Sequence, residues 1–325
     1  MDFDLDDDQL ALRDMVRRFC ADRFPLDVVR AAGDGLDRDR WRELAGLGVF
    51  ALTRPEAAGG AGLSLADAAV VFEELGRALA PGPVVASFLA AGAGDGAVDG
   101  VAEGEVVATL VERWPGRPLL VEHAESADVV LVLDDDGVTA FDAAGLAGRA
   151  VAEPLDPTTP LALVDELPDG GGRSLGGPEL AREWRRTGSL LTAALLVGIA
   201  GATTDLAVAY AKDRRQFGRP IGSFQAVKHI LADMFARAEV ARAAVHAGAV
   251  TADRPEVGDP DRAVAAGRAL AGRAAHDNAK ACIQVHGGIG FTWEADPHLF
   301  LKRTLLHDTQ LGSVDEAAEA VAATL

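Results

Sequence analysis

The sequence predicts an α+β fold in which helices dominate, because helical stretches flank a short region that is rich in strands. Near both ends of the chain, apolar residues recur every three or four positions, as on one face of an amphipathic helix. In the middle, short Val- and Leu-rich runs alternate with turn residues, which is typical of strands. Helices and strands are thus segregated along the chain, and this order indicates an α+β fold rather than a βαβ sheet.

Residues 1–100 are predicted to form an N-terminal helical domain. Its first helix runs to about Phe19 and begins with an acidic turn, where carboxylates stabilise the positive end of the helix dipole. Ser64 is suited to cap a later helix, and Pro81 ends that helix. A glycine-rich segment at 92–100 closes the domain.

Residues 101–176 are predicted to form a small middle β domain. Its strands lie in the runs EVVATLV, RPLLVEH, DVVLVLD and GVTAFD, and Asp134–Gly137 is predicted to form a hairpin turn between the last two. We expect the strand region to end near residue 165. The Pro- and Gly-rich stretch 167–178 is predicted to be a linker.

Residues 177–325 form the third predicted domain, which is helical. Its helices are predicted at about 179–216, from about 223 past 245, at about 259–283, and from about 313 onward. The apolar stretch 189–211 is long enough to raise the question of a membrane span. Asp205 and several Thr and Gly residues interrupt it, so we interpret it as a buried core helix.

Composition narrows the class of function. The 325 residues carry a formal net charge of −19, which repels nucleic acid and anionic membrane surfaces, so neither is expected as a partner. Cys20 and Cys282 have no CxxC neighbour and the seven histidines are scattered, so we expect neither a disulfide framework nor a metal site. The acidic N-terminus is unlike a signal or transit peptide, and we expect a cytoplasmic protein.

The stretch RRQFGRPIGSFQ, residues 214–225, combines side chains that suit an adenine nucleotide. A guanidinium such as that of Arg214 binds a phosphate through two parallel hydrogen bonds. Phe217 is able to stack on a purine, and Gln216 to hydrogen-bond to its polar edge. A structural alternative fits the same residues: arginines at a helix end complement its dipole, Gly-Arg-Pro forms a turn, and Phe217 and Phe224 lie in the core.

A second stretch, residues 282–303, reads CIQVHGGIGFTWEADPHLFLKR. The paired glycines Gly287 and Gly288 allow the backbone to approach a bulky anion closely, and Gln284 lies one helix turn before them. The structural alternative here is a glycine that ends a helix and begins a tight turn.

Together, RRQFGRPIGSFQAVKHILADM and QVHGGIGFTWEADPHLFLKR resemble the acyl-CoA dehydrogenase family, and the order of helices and strands fits that family over nearly the whole chain. The resemblance implies an N-terminal helical domain, a middle β domain and a C-terminal four-helix bundle. It also implies FAD as the cofactor, extended across a subunit interface. The residues that would hold the adenine and pyrophosphate of a flavin seated mostly in a neighbouring chain are Arg214, Gln216, Phe217, Gln284, Gly287 and Gly288.

The resemblance implies α,β-dehydrogenation of an acyl-CoA thioester, in which a carboxylate removes the α proton. The two positions at which family members commonly carry that carboxylate correspond to Gly312 and Gly188, and glycine cannot abstract a proton. Asp308 and Glu294 are the remaining candidates for a base, and each also fits a structural role. The middle domain departs as well, because it lacks a Thr-Glu-Pro and Gly-Ser segment of the kind that lies against the flavin ring in this family.

These departures predict one subunit of a heteromeric acyl-CoA dehydrogenase, because some actinobacterial members of the family are α2β2 complexes in which one chain lacks the base. The alternatives are a self-sufficient homotetramer with a displaced base such as Asp308, a different flavin chemistry such as an oxidase, and a non-catalytic subunit that only binds FAD. A last alternative is a non-enzymatic interaction protein that has lost flavin altogether, which the cluster of Arg214, Gln284 and Gly287 disfavours. The expected partners are an acyl-CoA substrate, a homologous subunit or further copies of this chain, and an acceptor such as an electron-transfer flavoprotein.

Overall fold

The computed structural model describes residues 5–93, 98–114, 116, 118–146, 148–167 and 170–324. Parts of the predicted glycine-rich segment 92–100 and of the predicted linker 167–178 lie outside these residues.

The described chain divides into two compact units. The first comprises the chain up to Asp22, Ala69–Ala80 and the part from Ser189 onward, and the second comprises Arg23–Ala68 and Pro81–Gly188. The domain boundaries near residues 100 and 176 stay a prediction.

Ten α-helices account for most of the residues that the structure describes, in agreement with the predicted mostly helical α+β class. Their bounds are α1 Asp7–Arg23, α2 Leu26–Ala31, α3 Arg38–Gly46, α4 Leu65–Arg77, α5 Val84–Ala91, α6 Pro178–Asp213, α7 Gln225–Asp253, α8 Pro260–His286, α9 Pro297–His307 and α10 Val314–Ala322.

Side-chain caps fix the starts of the two helices that frame the C-terminal motif. The Asp259 carboxylate accepts hydrogen bonds from two backbone N–H groups in the first turn of α8, and Pro260 occupies the first helical position, where its missing N–H costs nothing. Ser313 and Glu316 form a reciprocal capping box at the start of α10.

Seven strands of the second unit form two small sheets. Their bounds are β1 Ala108–Glu112, β2 Leu119–Glu122, β3 Val129–Leu133, β4 Val138–Asp142, β5 Gly148–Ala150, β6 Leu161–Val164 and β7 Arg173–Gly176. One sheet has the order β1-β3-β4-β7, in which β1 and β3 are parallel and the other pairs antiparallel, and the second has the order β2-β6-β5. Valines of both sheets pack in one apolar cluster.

The predicted hairpin between β3 and β4 is confirmed, and the predicted linker is partly wrong. Asp134 accepts hydrogen bonds from the backbone N–H groups of Asp136 and Gly137 at 3.0 and 3.2 Å, which closes the turn. The stretch 167–178 is not simply a linker, because it contains β7, which pairs with β4 along the edge of the sheet. The glycines of this stretch favoured a linker prediction, although β7 forms there through its pairing with β4.

Two predictions about helices also need correction. Helix α6 ends at Asp213 rather than at 216, because the chain turns into a short hairpin there. The separate helix α9 lies in a segment that carried no helix prediction. The apolar part of α6 is the core helix expected: the helix is long and apolar enough to cross a membrane, but 78% of its most apolar window is buried inside the protein.

Asn278, the only asparagine of the chain, joins three helices at the centre of the first unit. Its side chain on α8 is fully buried, and its amide nitrogen lies 3.2 Å from the Ala200 carbonyl of α6 and 2.8 Å from the Met234 carbonyl of α7. Its amide oxygen accepts a hydrogen bond from Arg237 Nε of α7 at 2.9 Å. This one side chain therefore fixes α6, α7 and α8 in a common register.

Two buried carboxylates of α4 anchor further charged side chains within the same unit. Glu74 is 2% exposed and accepts a two-pronged hydrogen bond from Arg17 of α1, at 2.8 and 2.6 Å. Its neighbour Glu73 is bound in the same way by Arg242 of α7. His246 Nε2 lies 3.9 Å from Glu73, beyond hydrogen-bond distance, and has no hydrogen-bond partner among the described residues.

We expect Asn278→Ala to lower the free energy of unfolding by about 2–3 kcal/mol, because it leaves the partly buried Arg237 Nε without its acceptor and removes the fully buried amide that joins three helices. Urea denaturation measures the change. Asp277→Ala is the control, since its half-buried carboxylate pairs with Arg273 and His276 of its own helix and joins no second helix within the described residues, so its loss should change stability little. Equal stability of the two variants would contradict the role given to Asn278.

We expect His246→Leu to reduce the loss of stability that the protein shows as the pH falls below neutrality. Burial, outweighing the attraction of Glu73, holds the pKa of His246 below its ordinary value of 6.5. The neutral ring is therefore preferred in the folded state, and its contribution to stability is complete above pH 6.5 and is lost as the pH falls below it. Melting temperatures of both proteins across this range give the comparison, and parallel profiles would refute the assignment.

Candidate functional site

A short hairpin with a two-residue turn follows α6 and contains part of the first motif, RRQFGRPIGSFQ. Its strands, β8 (Arg215–Gln216) and β9 (Arg219–Pro220), pair antiparallel. The two turn residues, Phe217 and Gly218, have φ angles of +52° and +79°, as a two-residue turn between twisted strands requires. Glycine adopts such a φ freely, whereas for phenylalanine it is a strained conformation that costs about 1–3 kcal/mol.

The side chains of this hairpin face the solvent. Phe217 is 91% exposed, so the structural alternative that placed it in the core is wrong. The half-buried Phe224 lies beneath, with the Arg219 guanidinium 4.2 Å above its ring and the edge of Phe217 against it. Arg214 and Arg215 are exposed and form no ion pair with any residue that the structure describes, which leaves both guanidinium groups available to an anion.

The second motif begins where α8 ends. Gly287 terminates the helix with a φ of +66°, and its N–H is bonded back to the Gln284 carbonyl. A Cβ built on Gly287 or on Gly288 would have no atom within 4 Å, so the backbone at both glycines is open. The following turn, Gly287–Phe291, is a short 3-10 helix, and Phe291 at its end is 78% exposed.

The fold brings the two motifs together through the ends of α6 and α8. The Tyr210 ring, in the last turn of α6, stacks on His286, the last residue of α8, with ring centroids 4.1 Å apart. An apolar cluster of residues from α6, α7 and α8 continues this contact inward. Cys282 belongs to that cluster, and burial raises the pKa of its thiol to about 12, so the thiol is protonated and unreactive at neutral pH.

The segment after α9 is held by a buried arginine. Arg268 of α8 has no exposed surface, and it donates hydrogen bonds from Nε to the Gly312 carbonyl at 3.0 Å and from Nη2 to the carbonyls of His307 and Gly312, each at 2.7 Å. Burial lowers the pKa of Arg268 to about 10, which still leaves it charged at neutral pH. Gly312 has a φ of +93° and open space around it. Sequence reasoning missed Arg268, since an isolated arginine in a helix carries no signal.

The candidate base positions occupy different environments. Asp308 Oδ1 accepts a hydrogen bond from the Val314 N–H at 2.8 Å and so helps to start α10. Glu294 is exposed in the turn before α9. Gly188 is buried within α6.

Comparison with protein-family models places both ends of the chain in one family. Residues 6–96 match the model of the N-terminal domain of acyl-CoA dehydrogenases, and residues 181–325 match the model of their C-terminal domain.

Individual proteins give the same result. Acyl-CoA dehydrogenase IpdE2 of Mycolicibacterium smegmatis is 38% identical over 304 residues, which are 90% of each protein. One chain of the solved ChsE4-ChsE5 complex from Mycobacterium tuberculosis superposes with a TM-score of 0.84 at 25% identity, covering 99% of this chain and 98% of that one. PigA with FAD and proline shares the fold, with a TM-score of 0.84 at 20% identity, covering 100% and 99%. The fold, both motifs and this similarity over nearly the whole length show that the chain belongs to the acyl-CoA dehydrogenase family.

Proposed function

We propose that this chain is one subunit of a heteromeric, FAD-dependent acyl-CoA dehydrogenase that oxidises an acyl-CoA thioester between its α and β carbons. In this proposal the chain grips the ADP end of a flavin with its C-terminal helices, and a homologous subunit supplies the base. Electrons leave to an external acceptor such as an electron-transfer flavoprotein.

The observation that carries the proposal is the surface formed by the two motifs. The free guanidinium of Arg214, the exposed ring of Phe217 and the open backbone at Gly287 lie on adjoining segments at the ends of α6 and α8. A pyrophosphate is bound by a guanidinium group and by a backbone that it can approach closely, and an adenine stacks on an aromatic ring. These residues therefore fit the ADP part of FAD, which PigA, a protein of the same fold, holds.

Each residue then has a defined task. Arg214 pairs with a phosphate oxygen, Phe217 stacks on the adenine, and Gln216 and Gln284 hydrogen-bond to the polar edges of the nucleotide. The glycines Gly287 and Gly288 admit the pyrophosphate, because no side chain occupies the space above them. When bound, FAD would supply the acceptor for the hydride that leaves the β carbon.

The missing base supports a heteromeric assembly. Position 312 has a backbone conformation that residues with a side chain rarely adopt, and Arg268 holds its carbonyl in place with two hydrogen bonds. A glutamate there would be strained. Asp308 is already engaged at the start of α10, and Gly188 is buried in a helix. A solved complex of two named chains, ChsE4-ChsE5, shares this fold, which is compatible with a base from a second chain.

We expect the chain purified alone to contain far less than one FAD per polypeptide and to oxidise no acyl-CoA. The reason is that it would offer a grip on the ADP end without the segment that holds the ring. Flavin absorbance against protein concentration measures the ratio in the chain as purified. Stoichiometric FAD and turnover by the isolated chain would instead support the self-sufficient enzyme.

We expect Asp308→Asn to retain activity within about threefold in any preparation that oxidises acyl-CoA, since a general base contributes 10²–10⁴-fold and this carboxylate has a capping role. The asparagine keeps the Oδ1 acceptor for the Val314 N–H. Asp308→Ala, which removes it, should lower the free energy of unfolding by about 0.5–2 kcal/mol. Loss of activity in the asparagine variant with unchanged melting temperature would identify Asp308 as the base.

A further inference from the structure

Tyr210 is the only tyrosine of the chain, and it connects the two motif segments directly. Its backbone carbonyl accepts the N–H of Arg214 at 2.8 Å, which sets the point where the hairpin leaves α6. Its ring stacks on His286 with an interplanar angle of 23°, and its hydroxyl lies 3.4 Å from the His286 carbonyl. Tyr210 therefore contacts Arg214, where the hairpin begins, through its backbone, and contacts His286, just before the glycine turn, through its side chain.

His286 is a well-fixed partner for this contact. Its Nδ1 lies 2.8 Å from the Cys282 carbonyl one turn earlier in α8, so Nδ1 carries a proton and donates it there. The ring plane is thereby set from within α8. The His286 carbonyl is one of the terminal carbonyls that a helix leaves without an intrahelical partner, and the Tyr210 hydroxyl is its donor.

The space between the two segments depends on this pair. Gly287 and Gly288 follow His286 directly and have no side chains to brace them, and nothing lies within 4 Å of where their Cβ atoms would be. On the other side, the hairpin holds Phe217 at a strained φ of +52°. The stacked rings of Tyr210 and His286 join the two segments at the points where they leave α6 and α8.

We propose that Tyr210 is a positioning residue, which sets the separation between the Arg214 hairpin and the Gly287 turn for a dinucleotide pyrophosphate and adenine. The proposal rests on the proposed function of the two segments. Tyr210 itself does not touch the ligand. The stacked ring is the essential part, and the long hydroxyl contact is secondary.

The test compares Tyr210→Leu, which removes the ring, with Tyr210→Phe, which keeps it. We expect the leucine variant of the 325-residue chain to bind ADP about tenfold more weakly by calorimetry, a loss of about 1.4 kcal/mol, because the stacked ring is removed. The phenylalanine variant should stay within about threefold of wild type. Leu206→Ala is the matched control, because it removes apolar volume from the same cluster one turn earlier on α6.

The control separates positioning from stability. Leu206→Ala should lower the melting temperature as Tyr210→Leu does, yet leave ADP affinity within about threefold of wild type. Equal weakening of ADP binding by both variants, or unchanged binding in Tyr210→Leu, overturns the proposal.

Amide hydrogen exchange tests the positioning role of Tyr210 without any ligand. We expect Tyr210→Leu to speed amide exchange at 214–221 and at 287–292 together, and Tyr210→Phe to leave both nearly as in wild type. Unchanged exchange at 287–292 overturns the positioning role. Failure of the wild-type chain to bind ADP while exchange behaves as expected contradicts the proposed function alone.

A label on the single tyrosine gives a direct readout. With 3-fluorotyrosine incorporated, the chain has one fluorine resonance, and we expect ADP to shift it although the ring lies outside the nucleotide site. An unmoved resonance under saturating ADP contradicts the coupling.

Discussion

The arrangement of α6, α7 and α8 in the first unit depends on one buried amide. Asn278 hydrogen-bonds to α6 and to α7 from the middle of α8, and a buried polar group is stable only when such partners are in place. Sliding any of the three helices by a turn would break these bonds and leave the amide unsatisfied. The two motifs lie at the ends of α6 and α8, so the same amide fixes the register of the helices that carry them.

Polar contacts at buried positions recur where this unit needs a defined geometry. Arg268 grips backbone carbonyls of the segment before α10, and the Glu73 and Glu74 carboxylates bind arginines from α7 and α1. Apolar packing alone tolerates small sliding motions, whereas paired charges and hydrogen bonds have one favourable register. The small side chains that line these helices allow close approach, and the polar contacts decide where that approach occurs.

Periodicity and turn chemistry in the sequence were sufficient for the helix–sheet–helix order and for the strands from 108 to 142. The end of α6 was misplaced because Arg214–Gln216 have no property that forbids a helix, and only the positive φ at Phe217 and Gly218 reveals the hairpin. Strand β7 was missed because its pairing with β4 is a long-range interaction that glycine-rich sequence conceals. Both motifs could be identified from the sequence. Tyr210 and Arg268 could not, because they contact partners that are distant in the sequence, and local patterns do not report such contacts.

The exposed aromatic rings in and near the two motifs affect how long the chain persists in a cell. Phe217, Phe291 and Trp293 are 91%, 78% and 63% exposed. In the proposed heteromeric complex a second chain would cover these apolar rings, whereas a copy without its partner would present them to the solvent. Exposed apolar surface is what chaperones and quality-control proteases recognise. A copy made in excess of its partner would then be cleared faster than a copy in the complex, so that subunit ratios would be balanced by selective turnover rather than by matched synthesis.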